Sequence, residues 1–307
     1  MDKKYLVVRP KYGLCNQLLS ISKGIIFGLI SKRDVIFSGF QLDYRNDKNL
    51  SEFHDIIDIE YLQNEIDKLN LNLKIHSNLN IDCKKINTFT ETNISYIKDF
   101  ETILLNSANL DEEYLDIDNP ISSNIPEKYK HIYKFININI KFVDKYITIA
   151  NNIKQKLNLK NYTCIHLRLE DDAINFMYEN NPKIDKESIN TIYKKKYIDE
   201  LNYIKDIKDH NIYICTSLII DKNINNEFYL DIKEQYKLLD KNNLITVDKE
   251  IKYREIYGII DYIIAKDSIY FIGADWSSFS IYIYDIHISN NKAAKFIDIY
   301  DTIKNII

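Results

Sequence analysis

From residue 141 to the C-terminus, short apolar runs alternate with longer segments whose apolar residues recur every three or four positions. That alternation constrains the fold more than any other feature, because strands separated by crossover helices return parallel within one sheet. The pattern predicts strands over 162–169, 211–216, 244–247 and 268–272. Helices are expected over 143–157, 187–204, 226–239, 252–265 and 277–287. A similar unit opens the chain. A strand over 4–8 runs into a turn punctuated by Pro10 and Gly13, then a helix with Asn16 as its expected N-cap, then a strand over 34–38. Between residues 40 and 140 the periodicity weakens, and Pro120 and Pro126 bracket an expected loop.

A chain of 307 residues can support two cores. We therefore expect an α/β protein of two Rossmann-type domains, 1–142 and 143–307. Parallel sheets would face a central cleft, with ligands at the carboxyl ends of the strands. A net charge of −4, with lysines scattered among Asn and Asp, gives no electrostatic case for a nucleic-acid partner. Cys15, Cys83, Cys164 and Cys215 show no C-x-x-C spacing, and a reduced, cytoplasmic location is the expectation. No apolar run reaches the ~20 residues of a membrane span, and the N-terminus passes straight into a strand, so no signal peptide is expected.

Three strand-to-helix junctions carry the chemistry-bearing residues. At Gly13-Leu14-Cys15-Asn16-Gln17, glycine permits close backbone approach and the helix start presents free N–H groups to an anion. At His166-Leu167-Arg168, strand alternation puts both polar side chains on one face, and Glu170, Asp171 and Asp172 follow. A guanidinium there suits a diphosphate; an ordinary ion pair with the following acids accounts for the segment equally well. At Phe271-Ile272-Gly273, a turn leads to Ser277-Ser278-Phe279-Ser280, a second anion cradle or a plain serine cap over a Trp276–Phe279 core. All three junctions can face one cleft. The six histidines form no H-E-x-x-H or zinc-type spacing, and no G-x-S-x-G elbow is present. Asp116-Ile117-Asp118 is a formal D-x-D in an Asp-rich stretch, which chance explains, so no metal is expected.

Taken in order, the junctions resemble the fucosyltransferase superfamily that includes protein O-fucosyltransferases, α1,2-fucosyltransferases and related plant enzymes. Gly13 to Leu19 resembles its G-x-x-N-Q element, with Cys15 where glycine is common. The segment 166–172 is similar to its H-x-R motif. Phe271-Ile272-Gly273 with Ser277-Ser278-Phe279-Ser280 resembles its C-terminal element, with Ala274 where Asn is usual. The resemblance implies a GT-B-like fold and metal-independent, inverting transfer from a nucleotide sugar, typically GDP-fucose, to a glycan, glycolipid or protein hydroxyl. On that resemblance Arg168 binds the diphosphate, His166 and Asp261 contact the nucleotide, and Ser277, Ser278 and Phe279 hold phosphates and base. Gly13, Leu14 and Asn16 lie near the diphosphate and fucose. Glu170, Asp171 and Asp172 stay open as bases for the acceptor. Two alternatives remain: a UDP-rhamnose donor, or a non-catalytic nucleotide-sugar or glycan-binding protein.

Overall fold

The computed structural model describes residues 3–46, 48–78, 87–89, 105, 108, 113–117, 120, 124–207, 211–221, 225–242, 244 and 253–306. The chain divides into two compact units, Met1–Asp144 and Lys145–Ile307.

The first unit holds strands β1 Tyr5–Val8, β2 Asp34–Phe37, β3 Phe40–Gln41, β4 Leu50–Ser51, β5 Ile75–Ser77, β6 Asn87–Phe89 and β7 Tyr114–Ile117. Five of them form a parallel sheet in the order β5-β2-β1-β7-β6, while β3 and β4 pair antiparallel. Strand β1 pairs with β2 on one side and β7 on the other, so the winding reverses at its carboxyl end. The helix Leu14–Ser31 starts there. It is long and apolar enough to cross a membrane by length and composition alone, yet 78% of it is buried in this unit. Gly24 sits against Val8, where a Cβ would come within 2.8 Å of Val8 Cγ2, so the helix lies close on the sheet.

The helix begins at Leu14 with Gly13 at the cap, and Asn16 falls in its first turn instead of capping it. The first helical bond runs from Gln17 N–H to the Gly13 carbonyl, which places the start three residues earlier than the Asn16 expectation. The weakly periodic middle contains the helices Ile59–Lys68 and Lys130–Asn139 as well as β5, β6 and β7.

The second unit carries β8 Tyr162–His166, β9 Asn211–Cys215, β10 Tyr270–Ala274 and β11 Ala293–Ile297, all parallel, in the order β11-β10-β8-β9. All five residues of β8 are buried, as befits a central strand covered on both faces. The chain steps from β8 outward to β9 and returns to pair β10 on the other side of β8, so this sheet also reverses its winding, between β8 and β10. Ligands bind at such switch points because the flanking loops part in opposite directions. A core of Ile165, Leu167, Leu169, Met177, Tyr193, Tyr197 and Ile272 packs beneath.

Several elements differ from the sequence expectations. Strand β8 stops at His166, three residues short of Leu169. A helix, Asp171–Asn180, follows it at once. Leu244 lies in a turn and residues 245–247 fall outside the described residues. The position beside β9 is taken by Leu239, which bridges Tyr213 in parallel and exchanges backbone bonds with Ile212 and Ile214. Leu239 lies beyond the helix Asn226–Tyr236, which was expected to include it.

Candidate active site

The second unit's site grows from the backbone leaving β8. Leu167 N–H donates to the Cys215 carbonyl, extending the pairing with β9 by one rung. Leu167 and Leu169 turn into the core, so His166, Arg168 and Glu170 share the other side. Two side chains then pin this exit. The buried Tyr197 hydroxyl accepts from Arg168 N–H and donates to the His166 carbonyl, both at 2.9 Å. Asn225 Nδ2 donates to the Leu169 carbonyl at 2.7 Å.

Arg168 is only 17% exposed and is held by two carboxylates of different character. Its Nη1 donates to Glu170 Oε2 at 2.7 Å, and Glu170 is itself buried. It also makes a two-point contact with Asp172, Nη1 to Oδ1 at 3.1 Å and Nη2 to Oδ2 at 2.7 Å, where Asp172 is 40% exposed. Glu170 is anchored from behind by Ser217, whose hydroxyl donates at 2.6 Å and whose N–H donates at 3.2 Å. Arg254 Nη2 donates to that same hydroxyl at 3.1 Å. Burial would raise the Glu170 carboxyl, but Arg168 and Arg254 outweigh it and hold the group at about 2. Burial alone would lower the Arg168 guanidinium, and Glu170 with Asp172 reverse that, so its charge is permanent. The account of this segment as an ion pair is therefore partly right: the pair exists, at a switch point.

Strand β10 delivers the other half. Its register beside β8, Ile272 opposite Ile165, sets Gly273 next to His166 at the same sheet end. His166 Nδ1 lies 2.8 Å from Ser280 Oγ. A Cβ on Gly273 would lie 2.6 Å from Ser280 Cβ and 3.0 Å from Phe271 Cε1, so only glycine lets strand and helix approach this closely. The His166 ring lies 4.6 Å from Phe279, and burial lowers its pKa to about 3 against the pull of Glu170, leaving a neutral imidazole. Ser277, buried, caps the helix Ser278–Ser289 without a side-chain cap bond. Helix N-termini leave their first amides without intrahelical partners, which suits an anion. The Arg168 guanidinium lies 5.8 Å from the Trp276 ring, so the second and third junctions converge on one sheet end.

Asp261, expected to contact the nucleotide, has two side-chain partners of its own. It is buried in the helix Arg254–Asp267, where Tyr213 donates to Oδ1 at 2.8 Å and Lys241 to Oδ2 at 2.5 Å. Asp171 lies exposed in the first turn of its helix. No local pattern announces Tyr197, Ser217, Asn225 or Arg254, because each lies tens of residues from the group it supports.

The first unit builds its junction at the β1 switch point. Tyr12 takes a left-handed φ of 72°, and its N–H donates to Gln41 Oε1 at 2.8 Å. Gln17 is wholly buried; its Nε2 donates to the Tyr12 and Gln41 carbonyls while its Oε1 accepts from Gln41 N–H. Gln17 thus shapes the loop that presents Gly13, Leu14 and the half-buried Asn16. Nothing lies within 4 Å of where a Gly13 Cβ would stand, so packing does not demand glycine there. Asp116 of the formal D-x-D lies in β7, with Oδ2 accepting from Arg9 at 2.9 Å; Asp118 falls outside the described residues.

Two parallel-sheet α/β units, each reversing its winding at a switch point, make up a GT-B glycosyltransferase fold. The solved structures it resembles are of that kind. The apo form of POFUT1 matches with a TM-score of 0.62 at 11% identity, over 97% of this chain and 98% of that one. POFUT1 in complex with GDP-fucose gives 0.59 at 11% identity, over 96% and 98%. NodZ α-1,6-fucosyltransferase soaked with GDP-fucose gives 0.55 at 9% identity, over 93% of each chain. A family model described as GDP-fucose protein O-fucosyltransferase matches residues 5–286, and the chain belongs to that family. No curated protein sequence matches the chain significantly.

Proposed function

We propose that the protein transfers fucose from GDP-fucose to a hydroxyl of a glycan or protein acceptor, with inversion and without a metal ion. Membership of the family supports the reaction, and the POFUT1 and NodZ structures obtained with GDP-fucose support the donor. The observation that carries the reading is Arg168, a permanent cation at the β8–β10 switch point where the helix Ser278–Ser289 begins.

In the step, the acceptor oxygen forms a bond to the sugar's anomeric carbon. The bond from that carbon to the β-phosphate oxygen breaks, and its electron pair leaves on GDP. Charge therefore builds on the diphosphate, and fixed donors aimed at it are the strongest lever available. Arg168 supplies a planar fork of donors and the helix start supplies amides, the positive potential a metal would otherwise provide. A single displacement inverts the anomeric centre. Neutral His166, buried and tilted at 42° against Phe279, braces that ring beside the nucleotide and takes no part in proton transfer near neutral pH. The acceptor proton needs a carboxylate that substrate can reach. Glu170 is buried and tied to Ser217; of the exposed Asp171 and Asp172, Asp172 is the one in contact with Arg168, so Asp172 is assigned as the base.

Arg168→Ala is expected to lower kcat by about two to four orders of magnitude, as loss of an oxyanion donor does. Wild-type transfer should persist in EDTA. Transfer at wild-type rates by the variant, or loss of wild-type activity on chelation, would remove the assignment.

A further inference from the structure

We propose that Phe176 and Trp276 form an acceptor platform that takes the apolar face of a pyranose ring, so that the acceptor is a glycan. The inference rests on the donor reading above and adds the chemical class of the second substrate.

Phe176 is 46% exposed, yet its ring is ordered flat against Trp276, with centroids 5.3 Å apart and planes inclined by 11°. Trp276 is braced edge-on by buried Tyr193, centroids 6.3 Å apart at 68°. Trp276 lies in turn over the Arg168 guanidinium. Fixed aromatic faces of this size beside a charged site bind flat apolar surfaces. Half-buried Phe279, braced by buried His166, is the ring left to the nucleotide, on the side of Ser280. The Phe176–Trp276 pair instead adjoins the Arg168 guanidinium that Asp172 grips.

Asp172 precedes Phe176 by four residues on one helix, so carboxylate and ring project from the same face. A pyranose presents C–H bonds on its face and hydroxyls around its edge. A ring beneath with a carboxylate alongside matches both features at once. When the donor diphosphate takes the fork of Arg168, Asp172 is released from it and turns to the hydroxyl lying over Phe176. The hydroxyl oxygen then bonds the donor's anomeric carbon, GDP departs with the electron pair, and the hydroxyl proton passes to Asp172.

The chain contains a single tryptophan, so its emission reports this platform directly. The full-length protein is titrated first with GDP. With GDP saturating, methyl glycosides and short oligosaccharides of glucose, galactose, mannose and N-acetylglucosamine are then added. At least one oligosaccharide is expected to change Trp276 emission saturably and to accept fucose from GDP-fucose. Phe176→Ala should raise KM for that saccharide about 10-fold, in line with loss of an aromatic contact, with GDP affinity measured by calorimetry unchanged within about twofold. Phe176→Tyr should restore the KM. GDP binding without any saccharide response, a Phe176→Ala variant with unaltered saccharide KM, or transfer to peptides alone would each overturn the platform. Failure of GDP and GDP-fucose to bind would bring down the donor reading too, and shows before any saccharide is added.

Discussion

Asp172→Asn should tighten GDP binding while it slows transfer. In the free protein both Arg168 terminal nitrogens are engaged by Asp172, at 3.1 and 2.7 Å, so the diphosphate must displace a carboxylate to reach the fork. With Asp172 40% exposed, solvent screens the pair, which is worth about 0.5–1 kcal/mol for a two-point contact of this kind. Asparagine keeps the shape and one acceptor oxygen but withdraws the charge. It also removes a negative charge roughly 6 Å from the incoming phosphates, worth about 0.7 kcal/mol at the dielectric constant of water. Together these give about an 8- to 18-fold lower Kd for GDP by calorimetry at fixed ionic strength. The same change removes the base, and kcat should fall by about two to three orders of magnitude. Weaker GDP binding would show that Asp172 orients Arg168 rather than competing for it.

Two further outcomes follow from the site's interior. Glu170 is held at about 2 and His166 at about 3, against ordinary values of 4.5 and 6.5, so both take up protons more readily in the unfolded chain. Stability is therefore fully present above pH 6.5 and declines below it through His166, with Glu170 adding a loss between 4.5 and 2. Glu170 alone contributes on the order of 3 kcal/mol at 1.36 kcal/mol per unit. Urea titrations at stepped pH should show the decline, and His166→Gln should flatten its upper part; a pH-independent midpoint would contradict the burial argument. Gly273→Ala should cost about 1–3 kcal/mol by overpacking and should weaken GDP binding, because the new methyl pushes Ser280 away from His166. Thermal melts and calorimetry on the variant check both, and an unchanged Tm would refute the close-approach argument.

The second unit was largely legible because β8 and β10 are buried on both faces and read as continuous apolar runs. His166, Arg168, Ser277 and Phe279 stand at the ends of those runs, where the parallel-sheet rule sends ligands. The helix Asp171–Asn180 is hard to read from sequence because Glu170, Asp171 and Asp172 double as candidate catalytic groups. Acids crowded into a first turn are also a helix-start signal. Ile59, Leu62 and Ile66 had the spacing that would have revealed the helix Ile59–Lys68. Leu239 contributes one bridged residue beside β9, which leaves no run to recognise. The groups that pin the site, Tyr197, Ser217, Asn225 and Arg254, meet it through tertiary contacts spanning about 30 to 60 residues, where no local period exists.

A crystal structure of the protein soaked with GDP tests the central claim most directly. The account predicts the diphosphate within hydrogen-bond distance of Arg168 Nη2 and of the amides at Ser278 and Phe279, with Asp172 turned away from the guanidinium. GDP bound elsewhere, or a diphosphate that leaves the Arg168–Asp172 pair intact, would contradict it.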